Sequence, residues 1–305
     1  MQNLFLKKVV RNKLLLLMLM PSVMFFIVFN YLPMIGVIIA FKRFDYAGGI
    51  LGSPWSGLEN FRFLFINGQI FGVLRNTALY NMAFIVVNNI MQIAAAIFIT
   101  EALGKRLKKA AQTIMFLPYF ISWVVVGAFV YNIFNSNYGS LNSIFKALGL
   151  APVNVYDKPA VWVFVIIMFC VWKNIGYGSV LYLAAISGIE QEMYQASKID
   201  GANIYQRVRY ITIPSLTPTI IILVLLSIGN IFRGDFSMFY QIIGDNAQVY
   251  GATDVIDTFV TRSLMQTREF GMSSAAAFIQ SVLCFAVISL ANYTVKRVDN
   301  DYALY

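Results

Sequence analysis

The sequence predicts an all-α polytopic membrane protein with six transmembrane helices. Three observations carry that expectation: the apolar balance, six long apolar stretches, and an uneven placement of Lys and Arg. Of 305 residues 59% are hydrophobic and 12% charged, with a mean hydropathy of +0.70. Soluble domains carry roughly a quarter charged residues, so lipid is the solvent this chain suits. The net charge of +9 would raise nucleic acid as a partner in a soluble protein. Here the basic residues sit at the ends of apolar runs, where they set orientation and meet anionic headgroups of membrane lipid. Nucleic acid is set aside on that ground.

A spanning helix needs about 20 mostly apolar residues. Stretches at about 14–41, 73–103, 111–134, 160–186, 214–231 and 272–295 qualify, all within a single transmembrane domain over 1–305. Lys7, Lys8, Arg11 and Lys13 precede Leu14 to Met20 in the manner of a secretory signal. The apolar run continues to Phe41 without a small-residue cleavage site, so the first stretch reads as an uncleaved span. Pro21 and Pro33 are expected as kinks within it, because neighbouring helices can satisfy the freed carbonyls. The third stretch reads as one continuous span. The fifth is the shortest and ends near Asn230–Arg233.

Orientation follows from the basic residues. With the N-terminus inside, segments 1–13, 104–110, 188–213 and 296–305 hold 13 Lys and Arg in 56 residues. The outside segments 42–71, 135–159 and 232–271 hold 8 in 95. Both termini are therefore expected to be cytoplasmic. The loop Gly104-Lys105-Arg106-Leu107-Lys108-Lys109 is the strongest single signal. Outside, residues 46–60 read as a turn-rich loop. Residues 140–149 read as a short interfacial helix with Leu141, Ile144, Phe145 and Leu148 on one face.

Enzymatic chemistry finds little support. Histidine is absent, which removes the commonest general base and metal ligand. Cys170 and Cys284 fall inside apolar runs and read as small hydrophobes, with no CxxC. No catalytic or metal-binding residue is expected, and no GxxxxGK[ST] is present.

The polar segment 188–213 carries more information. Ser187 and Glu190 form a capping-box pattern, and Met193, Ala196 and Ile199 follow helical spacing behind it. Asp200-Gly201 is a turn signal. A second helix over 202–211 would present Ile204, Val208 and Ile211, with Pro214 ending it and opening the fifth span. Two short amphipathic helices hinged at Asp-Gly result. The residues alone leave open whether they lie on headgroups or dock a partner.

The run Ala196-Ser197-Lys198-Ile199-Asp200-Gly201-Ala202, followed after eleven intervening residues by Pro214, resembles the EAA loop of permease subunits of binding-protein-dependent ABC importers. Leu117-Pro-Tyr-Phe-Ile-Ser-Trp123, Trp172-Lys173-Asn-Ile-Gly176-Tyr-Gly178 and Thr253-Asp254-Val-Ile-Asp257-Thr are similar to the LplB-like branch of the carbohydrate-uptake class. So are Asn30-Tyr31-Leu32-Pro33 and Leu51-Gly-Ser-Pro-Trp55. The resemblance implies a type I ABC importer permease fold in a bacterial cell membrane. It makes Gln195, Ala196, Ser197, Asp200, Gly201, Ala202 and Pro214 the residues that couple to an ATPase. Gln195 stands where the family usually has Glu, so coupling is expected through packing around Ala196, Gly201 and Ala202 and not through an acidic anchor. The implied partners are a non-identical sister permease, two ABC ATPases, an extracytoplasmic solute-binding protein and an oligosaccharide. ATP and Mg would be held by the ATPases, with no cofactor in this chain.

An ionisable residue inside a span is a functional candidate. Lys173 sits in the fourth run beside Trp172 and Asn174, with Tyr177 one turn on. Aromatic faces stack on sugar rings, while Asn and Lys bond hydroxyls or carboxylates. The alternative is that Lys173 ties helices together. Ser227, Asn230 and Arg233 recur three apart on the fifth run, as ligand contacts or interhelical bonds. Asn88, Asn89 and Gln92 read as helix packing. Lys173 and Arg233 together would suit an acidic sugar such as a uronate oligomer. Two other readings are an ABC permease for another small solute and an ion-coupled secondary transporter. The latter needs intramembrane carboxylates, and Glu101 is accounted for by pairing with Lys105 one turn away.

Overall fold

In hydrocarbon every backbone polar group must be satisfied within the chain, and the apolar stretches accordingly form helices. The computed structural model describes residues 12–66, 68–102, 104–298 and 303. Lys7, Lys8 and Arg11 and most of the C-terminal tail, which entered the orientation count, lie outside the described residues, as does the side chain of Lys105. No strand occurs among the described residues; an isolated bridge joins Lys42 and Trp55.

Helix α1, Lys13–Phe26, runs through a π-turn at Ile27–Tyr31 and a 3-10 segment at Leu32–Phe41 as one largely exposed span. A short α2, Glu59–Ile66, leads into the 34-residue α3, Gln69–Ala102. Then follow α4, Lys105–Phe120; α5, Trp123–Phe134; α6, Ser140–Ala147; and α7, Pro159–Ser187. The polar loop holds α8, Gln191–Ile199, and α9, Ile204–Arg207. Helix α10, Ile213–Ile228, is followed by α11, Phe236–Ile243; α12, Ile256–Met265; and α13, Phe270–Val298.

Five helices are long and apolar enough to cross a membrane, and the α4–α5 pair makes six if taken as one broken span. That break corrects the expectation of a continuous third span: the two helices meet at 92°. Pro118 lies in the last turn of α4, and Ile121 and Ser122 take extended backbone angles that turn the chain. Ser122 then caps α5 through the Val125 N–H.

Pro214 also behaves differently from expectation. It does not separate two helices; Ile204–Ile228 is one span that passes through it. A π-turn at Val208–Thr212 precedes it, just as Ile27–Tyr31 precedes Pro33. Proline lacks an N–H, and its ring crowds the carbonyl four residues back. In both cases that carbonyl (Tyr210 or Phe29) lies in the widened turn, which absorbs the misfit.

The core forms where α3, α5, α7 and α11 meet around Tyr80, Val126, Val130, Trp162 and Phe239. A second cluster of Ala96, Ile99, Tyr182, Ile186 and Leu216 joins α3, α7 and α10 near the polar loop. Gly176 lets α4 rest on α7: a Cβ there would stand 1.9 Å from the Met115 carbonyl oxygen.

Candidate functional site: a central polar cavity and an exposed loop

Helices α3, α7 and α10 enclose a cavity of about 430 Å3 lined by Asn81, Asn88, Gln92, Asn174, Tyr177, Ser227 and Asn230. A second space of about 510 Å3 shares Asn81, Phe84, Asn174 and Asn230 with it and adds Trp123, Arg233 and Asp235. Of the residues singled out from sequence, Asn174, Tyr177, Ser227, Asn230 and Arg233 thus come together around adjoining spaces. Amides and a hydroxyl on an aromatic-lined wall provide the donors, acceptors and stacking faces that a sugar requires.

Lys173 departs from this group. Its side chain is buried, and its ammonium donates to the carbonyls of Pro118 at 3.3 Å, Tyr119 at 2.7 Å and Ile121. The rings of Tyr119 and Trp123 flank it at 5.6 and 5.3 Å. A broken helix in lipid leaves carbonyls without partners, and an ammonium with three N–H groups meets that need. Of the two sequence readings, helix tying is what these bonds describe, and no donor is left over for a ligand. Tyr177 lines the cavity while its ring stacks on Tyr119 at 4.6 Å.

Asn88, Asn89 and Gln92 each bond across to α7: Asn88 to the Cys170 sulfur, Asn89 from the Tyr182 hydroxyl, and Gln92 to the Asn174 carbonyl. Ser227 and Asn230 bond the carbonyls one turn back on their own chain. The buried Oδ1 of Asn88 has no hydrogen-bond partner among the described residues.

The connection after α10 is held unusually firmly. Four consecutive residues are tethered by four different elements. Gln280 of α13 donates to the Phe232 carbonyl at 2.9 Å, and Asn81 of α3 donates to the Arg233 carbonyl at 3.1 Å. The Gly234 N–H donates to Asp257 of α12 at 2.6 Å. Trp123 of α5 donates its indole N–H to Asp235 at 2.9 Å, while Asp235 also caps α11 through the Met238 N–H. The Arg233 guanidinium, exposed at the wall of the second space, makes no hydrogen bond or ion pair among the described residues. Sequence reading missed Asn81, Trp123 and Asp235. Asn81 lies seven residues before Asn88 on the same helix face, which was the available signal.

At the other end of α3 lies the polar loop. Helix α8 has no buried residue, Ala196 is exposed, and Ile199 is 87% exposed. Gly201 takes φ +76°, with its N–H on the Lys198 carbonyl and the Ala202 N–H on the Ser197 carbonyl. That is the expected turn, built as a Schellman cap. The expected Ser187–Glu190 box does not form. Ser187 belongs to α7 and bonds the Leu183 carbonyl, and Glu190 makes no side-chain cap. Asn203 and Gln206 form a capping box instead, at the start of α9. Gln195 is exposed and makes no hydrogen bond among the described residues. Glu101 is engaged by Arg207 at 2.6 Å, while its expected pairing with Lys105 falls on a side chain outside the described residues. Tyr194 bonds Thr212 at 2.9 Å, tying α8 to the fifth span.

Among the described residues no three His, Cys, Asp or Glu side chains are grouped to hold a metal. Residues 92–300 match the family model described as "Binding-protein-dependent transport system inner membrane component". Protein LplB of Bacillus subtilis is 31% identical over 95% of this chain and 91% of its own length. The polygalacturonan/rhamnogalacturonan transport system permease protein YteP of the same organism is 29% identical over 96% of this chain and 91% of its own. Among solved structures, a bacterial ABC transporter involved in import of the acidic polysaccharide alginate superposes with a TM-score of 0.87. It is 30% identical and covers 97% of this chain and 99% of its own. A bacterial alginate ABC transporter in complex with an alginate pentasaccharide-bound periplasmic protein gives 0.86, at 30% identity, over 96% and 97%.

Proposed function

This chain belongs to the binding-protein-dependent transport system inner membrane components, and on that premise we propose that it is the permease subunit of an ATP-driven importer of uronate-containing oligosaccharides. The observation that carries the substrate class is the tethered strip 232–235, which offers an Arg233 guanidinium unpaired among the described residues, beside a cavity lined with amides and Tyr177. A guanidinium binds a carboxylate in a fork, and the amides and aromatic face serve hydroxyls and the sugar ring. Relatives whose names or titles concern alginate and polygalacturonan support the same class.

The polar loop supplies the other half of the reading. Helix α8 and the Gly201 turn form the element that docks on an ABC ATPase, with Gln195, Ala196, Ser197, Asp200, Gly201 and Ala202 at the contact. The exposed Ile199 and the absence of buried residues in α8 favour packing against another protein. Pro214 acts within the span that α9 begins, so motion of the loop passes directly into α10. A sister permease, two ATPases that hold ATP and Mg, and a solute-binding protein complete the assembly. In it both termini of this chain face the cytoplasm.

The test is uptake into vesicles that carry the complete importer, with ATP inside and loaded binding protein outside. A uronate tetrasaccharide and its carboxyl-reduced counterpart are compared. Wild type should favour the acidic oligomer, and Arg233→Gln should lower that preference about tenfold, the scale of one lost charged contact. Equal handling of both sugars by wild type would sink the uronate reading.

A further inference from the structure

Arg233 is bracketed by a closed set of bonds that leaves its own side chain out. The peptide group before it ends in the Phe232 carbonyl, which accepts from Gln280 Nε2 at 2.9 Å. The peptide group after it begins with the Gly234 N–H, which donates to Asp257 Oδ2 at 2.6 Å. Gln280 Nε2 and Asp257 Oδ2 are joined to each other at 2.8 Å, which closes the ring. The two peptide planes flanking Arg233 therefore cannot rotate independently, and they fix the direction of its Cα–Cβ bond. Gly234 fits this ring because it has no side chain: a Cβ would lie 2.9 Å from Val255 Cγ2 and 3.0 Å from Asp257 Oδ2. Neither Asp257 nor Gln280 comes within hydrogen-bond or ion-pair distance of the guanidinium, and the Arg233 charge acts on the Asp257 carboxyl only at longer range, so the N–H groups of the guanidinium are not taken up by the ring.

We propose that Gln280 and Asp257 are positioning residues that present the Arg233 guanidinium to a sugar carboxylate. This deepens the uronate reading and rests on it. A flexible arginine would lose rotamer and backbone freedom on each binding event, and the ring removes the backbone part of that loss in advance. Discrimination between acidic and neutral sugar then depends on how Gln280 and Asp257 hold Arg233, with Asp257 itself at the wall of the second space.

The complete importer in vesicles provides the test, with the uronate tetrasaccharide and its carboxyl-reduced counterpart each supplied at saturation of the binding protein. Gln280→Met opens the ring from α13. It should lower acidic uptake about tenfold relative to the reduced sugar, while ATP hydrolysis by the same vesicles stays within about twofold of wild type. Asp257→Asn replaces the charged acceptor by an amide oxygen, weakens the ring from α12, and should shift the same ratio in the same direction. Loss of ATP hydrolysis and of both uptakes in parallel would mean a merely structural role and overturns the proposal. So does an unchanged ratio in both variants while Arg233→Gln does shift it. If Arg233→Gln itself leaves the ratio unchanged, the uronate reading falls first and the positioning role with it.

Discussion

Arg207 of the polar loop donates to Glu101 across 2.6 Å, joining α9 to the last turn of α3. The two side chains are 12% and 16% exposed, so this pair is screened far less than a surface one. The Arg207 Nε is buried without a partner, which makes Glu101 the only charge compensation the guanidinium has among the described residues. The contact joins the loop to α3, whose far half lines the cavity.

Removing one partner of such a pair leaves a largely buried charge uncompensated, at a cost of about 3 kcal/mol or more. Arg207→Glu should therefore abolish uptake in vesicles. The exchange Glu101→Arg with Arg207→Glu should recover a substantial part of it. If the double variant is as inactive as the single one, the pair does not couple the two elements.

Gly201 offers a cleaner separation of backbone from contact. A Cβ at this position would meet nothing within 4 Å, yet φ is +76°. The cost of a side chain is therefore conformational, on the order of 1–2 kcal/mol for most residues and least for Asn. Gly201→Val should weaken co-purification with the ATPase and lower uptake several-fold, while Gly201→Asn, which keeps the turn and adds a side chain at the contact, should lose clearly less. Equal loss in both variants would point to a contact at the glycine and not to the turn.

Much of this architecture was legible in the sequence, for reasons that individual elements make plain. Helix α3 announces itself by length and apolar composition, because lipid imposes both. The Asp200-Gly201 turn was legible because its chemistry is local. The break between α4 and α5 was not: Ile121 is apolar, and hydropathy records composition without backbone direction. Lys173 stood out as costly, but its partners lie 52 to 55 residues earlier in the chain. Arg233 stood out on the fifth run, but the tethering of strip 232–235 did not, since the Asn81 bond to the Arg233 carbonyl spans 152 positions.

Lys173→Met tests the role the structure gives that residue. It strips the donor from the carbonyls of Pro118, Tyr119 and Ile121, each a charge-assisted bond worth about 1.5–3 kcal/mol before the desolvation of lysine is offset. The melting temperature of the purified importer should fall by several degrees. The preference for acidic over carboxyl-reduced sugar should not change. A variant that melts normally but loses acid preference would return Lys173 to the sugar.

Asp257 gives the positioning ring a pH dependence whose sign can be worked out. Burial pushes its carboxyl above the ordinary value of 3.8, opposed by the Gly234 N–H, the Gln280 amide and the Arg233 charge. Because the folded form holds the proton more readily than the unfolded one, stability from this group is present in full below the unfolded value. It is lost as pH rises through the raised folded value. Function runs the opposite way. The protonated carboxyl is a poorer acceptor for the two donors it holds at Oδ2, so the ring loosens on acidification. Uronate uptake by wild type should therefore fall as pH is lowered through a range above ordinary aspartate titration, with no loss of melting temperature from this group. Asp257→Asn should show lower uptake that is flat across the same range. A variant that keeps the wild-type slope would assign the pH dependence to another group and remove Asp257 from the explanation.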